Sequence, residues 1–390
     1  MPDAKTASQG TVSAAGATLV DLSHRIHAHP ELNFEEERAA AWVAGVLADA
    51  GFDVEMGCAD LPTAFVATAG SGPLTIGICA EYDALPGIGH ACGHNIIAAA
   101  AAGAGLALKP LADDLGVTVK VFGTPAEEGG GGKILMLERG AFAGVHAAMM
   151  VHPSPVERET MACLAVSHWE VGYRGKSAHA SAWPEQGINA ADALTVAQVG
   201  IGLLRQHIRR TDRIHGIVTK GGDAPNVVPE STSGTWLVRS RTLEELAELE
   251  PRVLACFEAG ALATGSELSV RPISPAYSEM RHDLELAARY RANAEALGRR
   301  IADIPRELEE RTAGSTDMAN ISLAIPSIHP MLGIDSLPAT NHQPEFTAAC
   351  ITPTADDAVL GGAAAMAWTA IDMATDDALR RRLLAGERRD

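Results

Sequence analysis

Short apolar runs alternate with longer amphipathic stretches over the first part of the chain, up to about residue 161. Buried strands are predicted where the apolar runs are short and bounded by turn residues, at 74–80, 117–122 and 147–151. Helices are predicted from residue 19 onward, over 35–50, over 95–108, and from 129–132 to residue 137. This alternation is typical of an α/β domain. Residues 1–15 are expected to be loose.

The order of the predicted elements changes from about residue 163. A strand at 164–173 is followed by a helix at 188–209, strands at 214–220 and 233–241, a helix at 243–263 and a strand at 267–271. The order βαββαβ is that of a ferredoxin-like α+β sandwich. The α/β pattern then resumes with a helix at 283–297, a strand at 325–331 and a helix at 354–373. We therefore predict one α/β domain made of residues 1–162 and 274–390, with an inserted domain at 163–273.

Side chains that bind divalent metal ions stand at several points of the α/β segments. Cys92 and His94 are separated by one residue, a spacing at which a thiolate and an imidazole can converge where the chain turns. Glu127 and Glu128 are consecutive, and two like charges side by side are most easily explained by a nearby cation. One of them can bind metal while the other activates a water molecule. His152 and His342 are further candidate ligands.

Each of these groups also has a structural explanation. Cys92 alone fits a small buried apolar residue, His152 and His342 fit ordinary half-buried histidines, and the two glutamates fit a solvated loop. Their placement favours the metal site, because the first three groups each follow a predicted strand. Ligand sites in open parallel sheets form at the carboxyl ends of the strands.

Seven motifs in order resemble the aminoacylase and carboxypeptidase G family of dinuclear metallohydrolases. They are Glu-Tyr-Asp-Ala-Leu-Pro (81–86), His-Ala-Cys-Gly-His-Asn (90–95), Pro-Ala-Glu-Glu-Gly-Gly (125–130), Ser-Ala-His-Ala-Ser (177–181), Gly-Gly-Asp-Ala-Pro-Asn-Val-Val-Pro (221–229), Gly-Ser-Thr-Asp-Met (314–318) and His-Gln-Pro-Glu-Phe (342–346). The chain looks most similar to the amidohydrolase branch, which includes hippurate hydrolase, auxin-conjugate hydrolase, aminobenzoyl-glutamate hydrolase and β-alanyl-lysine dipeptidase. The resemblance runs from about residue 22 to residue 370 and implies a metallopeptidase-type catalytic domain with a mixed sheet flanked by helices.

The resemblance implies a role for each matching residue. Two divalent ions per subunit, zinc with manganese or cobalt as alternatives, would be held by Cys92, His94, Glu128, His152 and His342. Glu127 would be the general base, and Asp83 would orient a ligand or the base. Thr316 and Asp317 would line the pocket or lie behind it. His90 has no role in the resemblance and is better explained as a structural histidine.

The inserted domain would complete the site in the same resemblance. His179 would reach an active site across a homodimer interface formed by 163–273 and stabilise the oxyanion of the intermediate. Asn226 and Arg239 would hold the substrate carboxylate, although an arginine at a strand end is usually solvated and Arg241 could take its place.

Three positions bear on the substrate. The wider family usually has His-x-Asp where this chain has Glu81, Tyr82 and Asp83, and the amidohydrolase branch uses the Cys-Gly-His pair instead. Glu81 and Asn95 both stand where many members of that branch have Asp. These differences favour the aminobenzoyl-glutamate and dipeptidase subgroup over hippurate hydrolase.

The predicted function is metal-dependent hydrolysis of the amide bond of N-acyl amino acids or dipeptides, with aminobenzoyl-glutamate-like or β-alanyl-dipeptide-like substrates. The alternative is a catalytically silent homologue that serves as a binding or regulatory module. The chain keeps Glu127 and Glu128 and all five candidate ligands, which argues against a catalytically silent protein.

Composition and charge bear on the partners and the location of the protein. The net charge of −18 argues against nucleic acid, whose binding requires clustered Lys and Arg. The longest apolar candidate for a membrane span, 96–108, is too short, and the first twenty residues do not resemble a signal peptide. Six irregularly spaced cysteines do not suggest a disulfide framework, so the expected location is a reducing cytoplasm.

Overall fold

A computed structural model describes residues 2–305 and 313–389. The chain folds as two compact units. The main unit comprises the described residues up to Ala162 and from Met280 onward, and the inserted unit is Cys163–Glu279. The second junction therefore lies at Glu279 and not at the predicted residue 273.

The segment after residue 273 belongs to the inserted unit because it packs against that unit's first strand. Ser274 Oγ lies 3.0 Å from His168 Nδ1. The backbones of Val166 and Tyr277 exchange two hydrogen bonds of 3.0 Å each. Sequence periodicity ends with the last strand and could not indicate this return of the chain.

The main unit contains most of the secondary structure. Its helices are Pro2–Ala28, Glu37–Asp49, His94–Leu108, Ala112–Leu115, Gly132–Glu138, Leu284–Ala296, Met318–Ala324, Pro344–Ala349, Pro353–Thr375 and Asp377–Leu384. Its strands, numbered along the chain, are β1 (Asp53–Met56), β2 (Phe65–Ala69), β3 (Leu74–Glu81), β4 (Val117–Thr124), β5 (Ala147–Met149), β6 (His152–Ser154), β11 (Ser327–Ile328) and β12 (Met331–Gly333). The predicted strand at 325–331 is thus two short strands.

Six of these strands form a mixed sheet in the order β1-β2-β4-β3-β5-β11. The pairs β1–β2 and β2–β4 are antiparallel, whereas β4, β3, β5 and β11 run parallel. β6 and β12 pair in parallel as a separate ribbon. The carboxyl ends of the parallel strands therefore lie along one edge, and the predicted α/β class with a mixed sheet flanked by helices is confirmed.

An alanine-rich helix, His94–Leu108, is the centre of the main core. Every residue in it except Leu106 is buried. A Cβ on Gly103 would lie 2.8 Å from side-chain atoms of both Leu19 and Ala363, so three helices meet closely at this glycine. Small side chains allow this approach, and they explain how a chain with 4% aromatic residues fills its core.

The amino-terminal segment is helical from Pro2, which corrects the expectation that residues 1–15 are loose. Tertiary contacts explain the difference. Lys5 Nζ lies 2.7 Å from Asp372 Oδ1, and Trp368 Nε1 donates to the carbonyl oxygen of Lys5. Val12 is buried on the same helix. These partners are more than 300 positions away and cannot be seen in a local pattern.

Two helical stretches, His94–Leu115 and Pro353–Thr375, are long and apolar enough to span a membrane. Of their most apolar windows, 78% and 72% are buried within the described part of the chain. Core helices of globular domains have the same composition, so these features are weak grounds for a membrane span.

The inserted unit is a four-stranded antiparallel sheet with two helices. Its strands are β7 (Ala165–Arg174), β8 (Arg213–Lys220), β9 (Ser231–Ser240) and β10 (Glu267–Pro272), and its helices are Ala190–Leu204 and Leu243–Thr264. The strand order β10-β7-β9-β8 with the chain order βαββαβ is that of the predicted ferredoxin-like sandwich. Strand β8 lies at one edge of the sheet, and most of its residues are exposed.

Candidate metal centre

The candidate ligands of the main unit follow the carboxyl ends of neighbouring strands. Strand β3 ends at Glu81 and leads to Cys92, strand β4 ends at Thr124 and leads to Glu127, and His152 begins β6 directly after β5. Parallel strands bring these three chain segments to the same edge. The structure therefore places the metal-binding motifs together, as the positions of the predicted strands indicated.

A tight turn brings the Cys92 and His94 side chains to the same place. Gly93 between them has φ 78°, a backbone conformation that residues with a Cβ rarely adopt. A Cβ on Gly93 would also lie 2.8 Å from the Pro153 ring. Cys92 Sγ, on this turn, lies 3.3 Å from Nε2 of His152 on strand β6.

The turn that carries Glu127 and Glu128 is held by a distant carboxylate. Ala126 has φ 57°, and its backbone N–H donates to Glu36 Oε1 at 2.9 Å. The other oxygen of Glu36 accepts a hydrogen bond from Thr63 Oγ1 at 2.9 Å. Burial and the charge of Asp83 raise the pKa of Glu36 to about 7. No local signal in the sequence marks Glu36, because its partner Ala126 lies 90 positions further along the chain.

His342 reaches the site from the last part of the chain. Its backbone N–H donates to the carbonyl oxygen of Ala91 at 2.8 Å, which fixes the residue beside the Cys92 turn. Its Nε2 lies 3.6 Å from Glu128 Oε2, and its side chain is 57% exposed. The site is thus buried on the side of the sheet and open to solvent at His342.

Ligand atoms converge in two groups that share one sulfur. Cys92, His94 and His152 form the first group, and Cys92, Glu128 and His342 form the second, with the atoms of each within 4.8 Å of one another. All five predicted ligands are thereby brought together. Cys92 is common to both groups and would supply a thiolate ligand to either ion.

Buried polar atoms in the cluster support the fit to metal ions. His94 Nε2 and Glu128 Oε1 have no hydrogen-bond partner among the described residues, although such atoms are costly to leave unsatisfied. Burial also lowers the pKa of His152 to about 4, so that its ring is neutral at pH 7, the state in which imidazole binds a metal. The donor set of sulfur, nitrogen and carboxylate oxygen suits zinc and similar ions.

Burial is the main influence on the pKa values of the acidic side chains in the cluster. Burial raises the pKa of the Cys92 thiol well above its usual value, and Glu128 raises it further. Burial, followed by the charges of Glu81 and Glu128, likewise raises the pKa of Glu127. A bound divalent cation would reverse both shifts, because it stabilises thiolate and carboxylate.

Asp83 orients the cluster through two contacts. Its Oδ1 lies 3.0 Å from His94 Nδ1, and its Oδ2 accepts a hydrogen bond of 2.9 Å from the backbone N–H of Glu128. Burial raises the pKa of Asp83, but His94, the backbone N–H of Glu128 and the charge of Lys133 together lower it overall. The carboxylate therefore leaves His94 only Nε2 to bind an ion.

Two further predicted residues, His179 and Asn226, lie together in the inserted unit. The backbone N–H of Ala180 donates to the carbonyl oxygen of Asn226 at 3.0 Å. His179 Nδ1 lies 3.3 Å from the backbone nitrogens of Ser181 and Ala182 and accepts from both. A neutral His179 ring must then carry its proton on Nε2, from which it can donate to an oxyanion.

Arg239 lies on strand β9 of the inserted unit. Its Nε donates to His215 Nε2 at 3.3 Å. Burial lowers the pKa of His215, and the charge of Arg239 lowers it further. Arg239 is half-buried, whereas Arg241 is exposed just beyond the end of the strand.

Three further polar residues named from the sequence lie in the main unit. His90 is buried, its ring stacks on His27 at 6.2 Å, and burial lowers its pKa to about 3, as in a structural histidine. Asn95 donates to Ser23 Oγ at 2.8 Å and thereby joins two core helices. Asp317 is buried and, like Glu81, contacts the ammonium of Lys133, a residue that the sequence analysis did not identify.

Gly132, which opens the helix after the glutamate turn, has no room for a side chain. A Cβ there would lie 1.9 Å from the carbonyl oxygen of Pro125. Replacing Gly132 by Ala should lower the free energy of unfolding by about 2 kcal/mol or more, because the backbone turn must shift. Gly45→Ala is the matched control, since nothing lies within 4 Å of its Cβ and alanine favours a helix interior.

The midpoint of urea unfolding measures both glycine variants. An unchanged midpoint for Gly132→Ala would mean that the turn 125–132 tolerates a side chain.

Two known proteins are similar to this chain over most of its length. It is 36% identical over 389 residues to Xaa-Arg dipeptidase of Mus musculus, which covers 94% of this chain and 88% of that protein. It is 34% identical over 284 residues to a p-aminobenzoyl-glutamate hydrolase component of Escherichia coli, with 67% of this chain and 58% of that protein covered.

A solved structure shares the fold. A dinuclear metal binding peptidase of Bacillus subtilis superposes with a TM-score of 0.68 at 22% identity, covering 93% of this chain and 99% of that one. Residues 77–364 match the sequence model of peptidase family M20/M25/M40. The resemblance to dinuclear metallohydrolases drawn from seven motifs is thereby confirmed, and the chain belongs to peptidase family M20/M25/M40.

Proposed function

We propose that this hydrolase of the M20 family cleaves the amide bond of dipeptides or N-acyl amino acids and that Glu127 is its general base. One observation carries the proposal. Two ligand groups share Cys92, and Glu127 Oε2 lies 3.9 Å from His94 Nε2 at the edge of the same cluster. A carboxylate beside a two-ion site can accept a proton from an attacking water.

We propose that Cys92, His94 and His152 would hold one ion and that Cys92, Glu128 and His342 would hold the other. When bound, the ions polarise the scissile carbonyl and lower the pKa of the attacking water. We propose zinc, because a shared thiolate favours it, with manganese and cobalt as alternatives that imidazole and carboxylate also accept.

Glu127 moves the proton. It accepts the proton of the water on attack and delivers it to the leaving amine, so that the amine departs in its neutral form. Burial raises the pKa of Glu127, so its carboxylate is a stronger base for the first transfer. Asp83 fixes His94 and the backbone of Glu128 during both transfers.

The relatives support a small amide substrate. A mouse Xaa-Arg dipeptidase matches nearly the full chain, and the p-aminobenzoyl-glutamate hydrolase component of Escherichia coli matches two thirds of it. We propose the dipeptide as the first class to test and N-acyl amino acids as the second. We propose a cytoplasmic location from the cysteine pattern.

Metal analysis combined with an amide-hydrolysis panel tests this function. The chain is stripped with a chelator, refilled separately with zinc, manganese or cobalt, and assayed with Xaa-Arg dipeptides, p-aminobenzoyl-glutamate and N-acetyl amino acids. We expect two ions per chain and metal-dependent hydrolysis of at least one class. Two bound ions without hydrolysis of any amide would instead support a silent homologue that acts as a binding module.

We also propose a homodimer formed through the inserted unit. Strand β8 is an exposed sheet edge that can pair with a second copy of itself across a twofold axis. Ile217 on this strand and Leu203 and Leu262 on the two helices are exposed apolar side chains of the same unit. Such residues are common where subunits meet.

His179 is then expected to act in the site of the partner subunit. Two inactive variants, His179→Ala and Glu127→Gln, are mixed under conditions that allow subunit exchange. At statistical exchange half of the dimers are mixed, and each has one intact site of two, so the mixture should recover about one quarter of parental activity. Exchange without recovery, or full activity in a monomer, would place the role of His179 within one chain.

A further inference from the structure

A buried lysine lies directly behind the metal centre. Lys133 has a side chain with 0% exposure and is the second residue of the helix Gly132–Glu138. Its Nζ lies 2.6 Å from Glu81 Oε1 and 2.6 Å from Asp317 Oδ1. Its backbone N–H also donates to Asp317 Oδ2 at 2.8 Å. Burying an ammonium is costly unless it is paired, and two carboxylates compensate this one.

Glu81 belongs to a third group of converging ligand atoms. Glu81, His94 and Glu127 could also hold an ion, and Glu81 Oε2 lies 3.5 Å from His94 Nε2. Asp83 occupies the other ring nitrogen of His94, so only Nε2 can bind a metal. His94 Nε2 can bind only one ion at a time. It cannot bind one ion held with Cys92 and His152 and also a second ion held with Glu81 at another position. The site needs a feature that decides between them.

We propose that Lys133 is a positioning residue that keeps Glu81 in an ion pair and thereby leaves His94 Nε2 to the ion held with Cys92 and His152. This inference rests on the metal centre proposed above. An ammonium at 2.6 Å neutralises Glu81 and opposes a cation at the same carboxylate. Asp317 holds the ammonium from the other side and fixes its position.

The lysine stays charged in this environment. Burial lowers the pKa of Lys133, but Asp317 and Glu81 outweigh burial and raise it above its ordinary value. Glu81 contacts both groups, with Oε1 at Lys133 Nζ and Oε2 near His94 Nε2.

Glu81→Gln tests whether the carboxylate is a ligand. The metal-free variant is titrated with cobalt, whose thiolate charge-transfer absorption reports the Cys92 bond and whose visible bands report the remaining ligands. We expect two cobalt ions per chain and bands at the parental positions, because Lys133 retains Asp317 as its partner. Loss of one ion, or shifted bands, would show that Glu81 binds metal and would overturn the inference.

Lys133→Met tests the restraint itself. With the ammonium removed, Glu81 is expected to enter the coordination of the His94 ion, shifting its visible bands and tightening one cobalt equivalent by about tenfold or more. Parental bands in this variant would overturn the inference. If the variant does not fold, the Glu81→Gln titration still decides.

Two double variants separate this restraint from a general loss of charge. Lys133→Met with Glu81→Gln removes both the ammonium and the competing ligand, so the parental bands should return. Lys133→Met with Asp317→Asn has the same net charge as the first double variant, but it keeps the Glu81 carboxylate free to bind. The shifted bands should therefore persist. The reverse pattern would assign the competing carboxylate to Asp317 and overturn the inference.

The cobalt titration also distinguishes two kinds of failure. A parental protein without a thiolate charge-transfer band would remove Cys92 from the metal centre, and the proposed function would fail. A parental protein with this band and a Glu81→Gln variant with altered bands would leave the proposed function intact and reject only the role of Lys133.

Discussion

Replacing Glu127 by Gln is expected to lower turnover by about a hundredfold or more while both metal ions stay bound. The substitution keeps the size and hydrogen bonding of the side chain and removes only its ability to accept a proton. Glu127 is absent from the two ligand groups that share Cys92, so metal content should not change. Turnover is measured on the best amide of the substrate panel, and metal content is measured on the same samples.

The neighbouring residue provides the matched control. Glu128→Gln removes a member of the Cys92 and His342 group, so it should lower both metal content and turnover. The two variants together separate a proton acceptor from a ligand at consecutive positions. Activity of Glu127→Gln within about threefold of the parent would end the assignment of Glu127 as general base.

Replacing Cys92 by Ala is expected to weaken the binding of both ions. The sulfur belongs to both ligand groups, whereas His342 belongs to one, so His342→Ala should weaken a single ion. Loss of a direct ligand should exceed the roughly 10- to 100-fold loss of affinity that follows from losing an outer partner. Competition with a chelator measures the affinities, and the rate should fall in parallel with occupancy.

Cys58→Ala controls for the loss of a buried thiol. Cys58 is buried, and it lies outside the groups of converging ligand atoms found among the described residues. This variant should keep two ions and parental turnover. Two ions bound with parental affinity in Cys92→Ala would mean that Cys92 is a buried apolar residue, and the two-ion geometry would need a different bridging ligand.

Local patterns predicted the elements whose burial is uniform. Strand β3 is buried at all but one position, and the apolar run that predicted it matches its observed bounds closely. The order of elements in the inserted unit was also predicted. Each helix or strand there has its own spacing of apolar residues, and turns separate one element from the next. The helix Pro2–Ala28 was predicted only from residue 19 onward, because contacts of Lys5 with Asp372 and Trp368 stabilise its earlier part.

In the candidate site, too, part could be predicted from local sequence and part depends on the fold. Cys92 and His94 are close in sequence, and Glu127 and Glu128 are adjacent, so their residue types and spacing alone indicated metal chemistry. Their convergence followed from the rule that parallel strands end at one edge. The sharing of one sulfur between two groups depends on His342, and only the tertiary structure shows it.

Local periodicity and short motifs were enough to predict the α/β alternation, the inserted sandwich and the family of the chain. The tertiary structure alone decided the contacts of Glu36 with Ala126 and of Lys133 with Glu81. A charged residue looks solvated in a sequence, since burial depends on what packs around it in the fold. Lys133 follows four glycines and carries no periodic signal, so its role depends on two carboxylates that the fold brings to it.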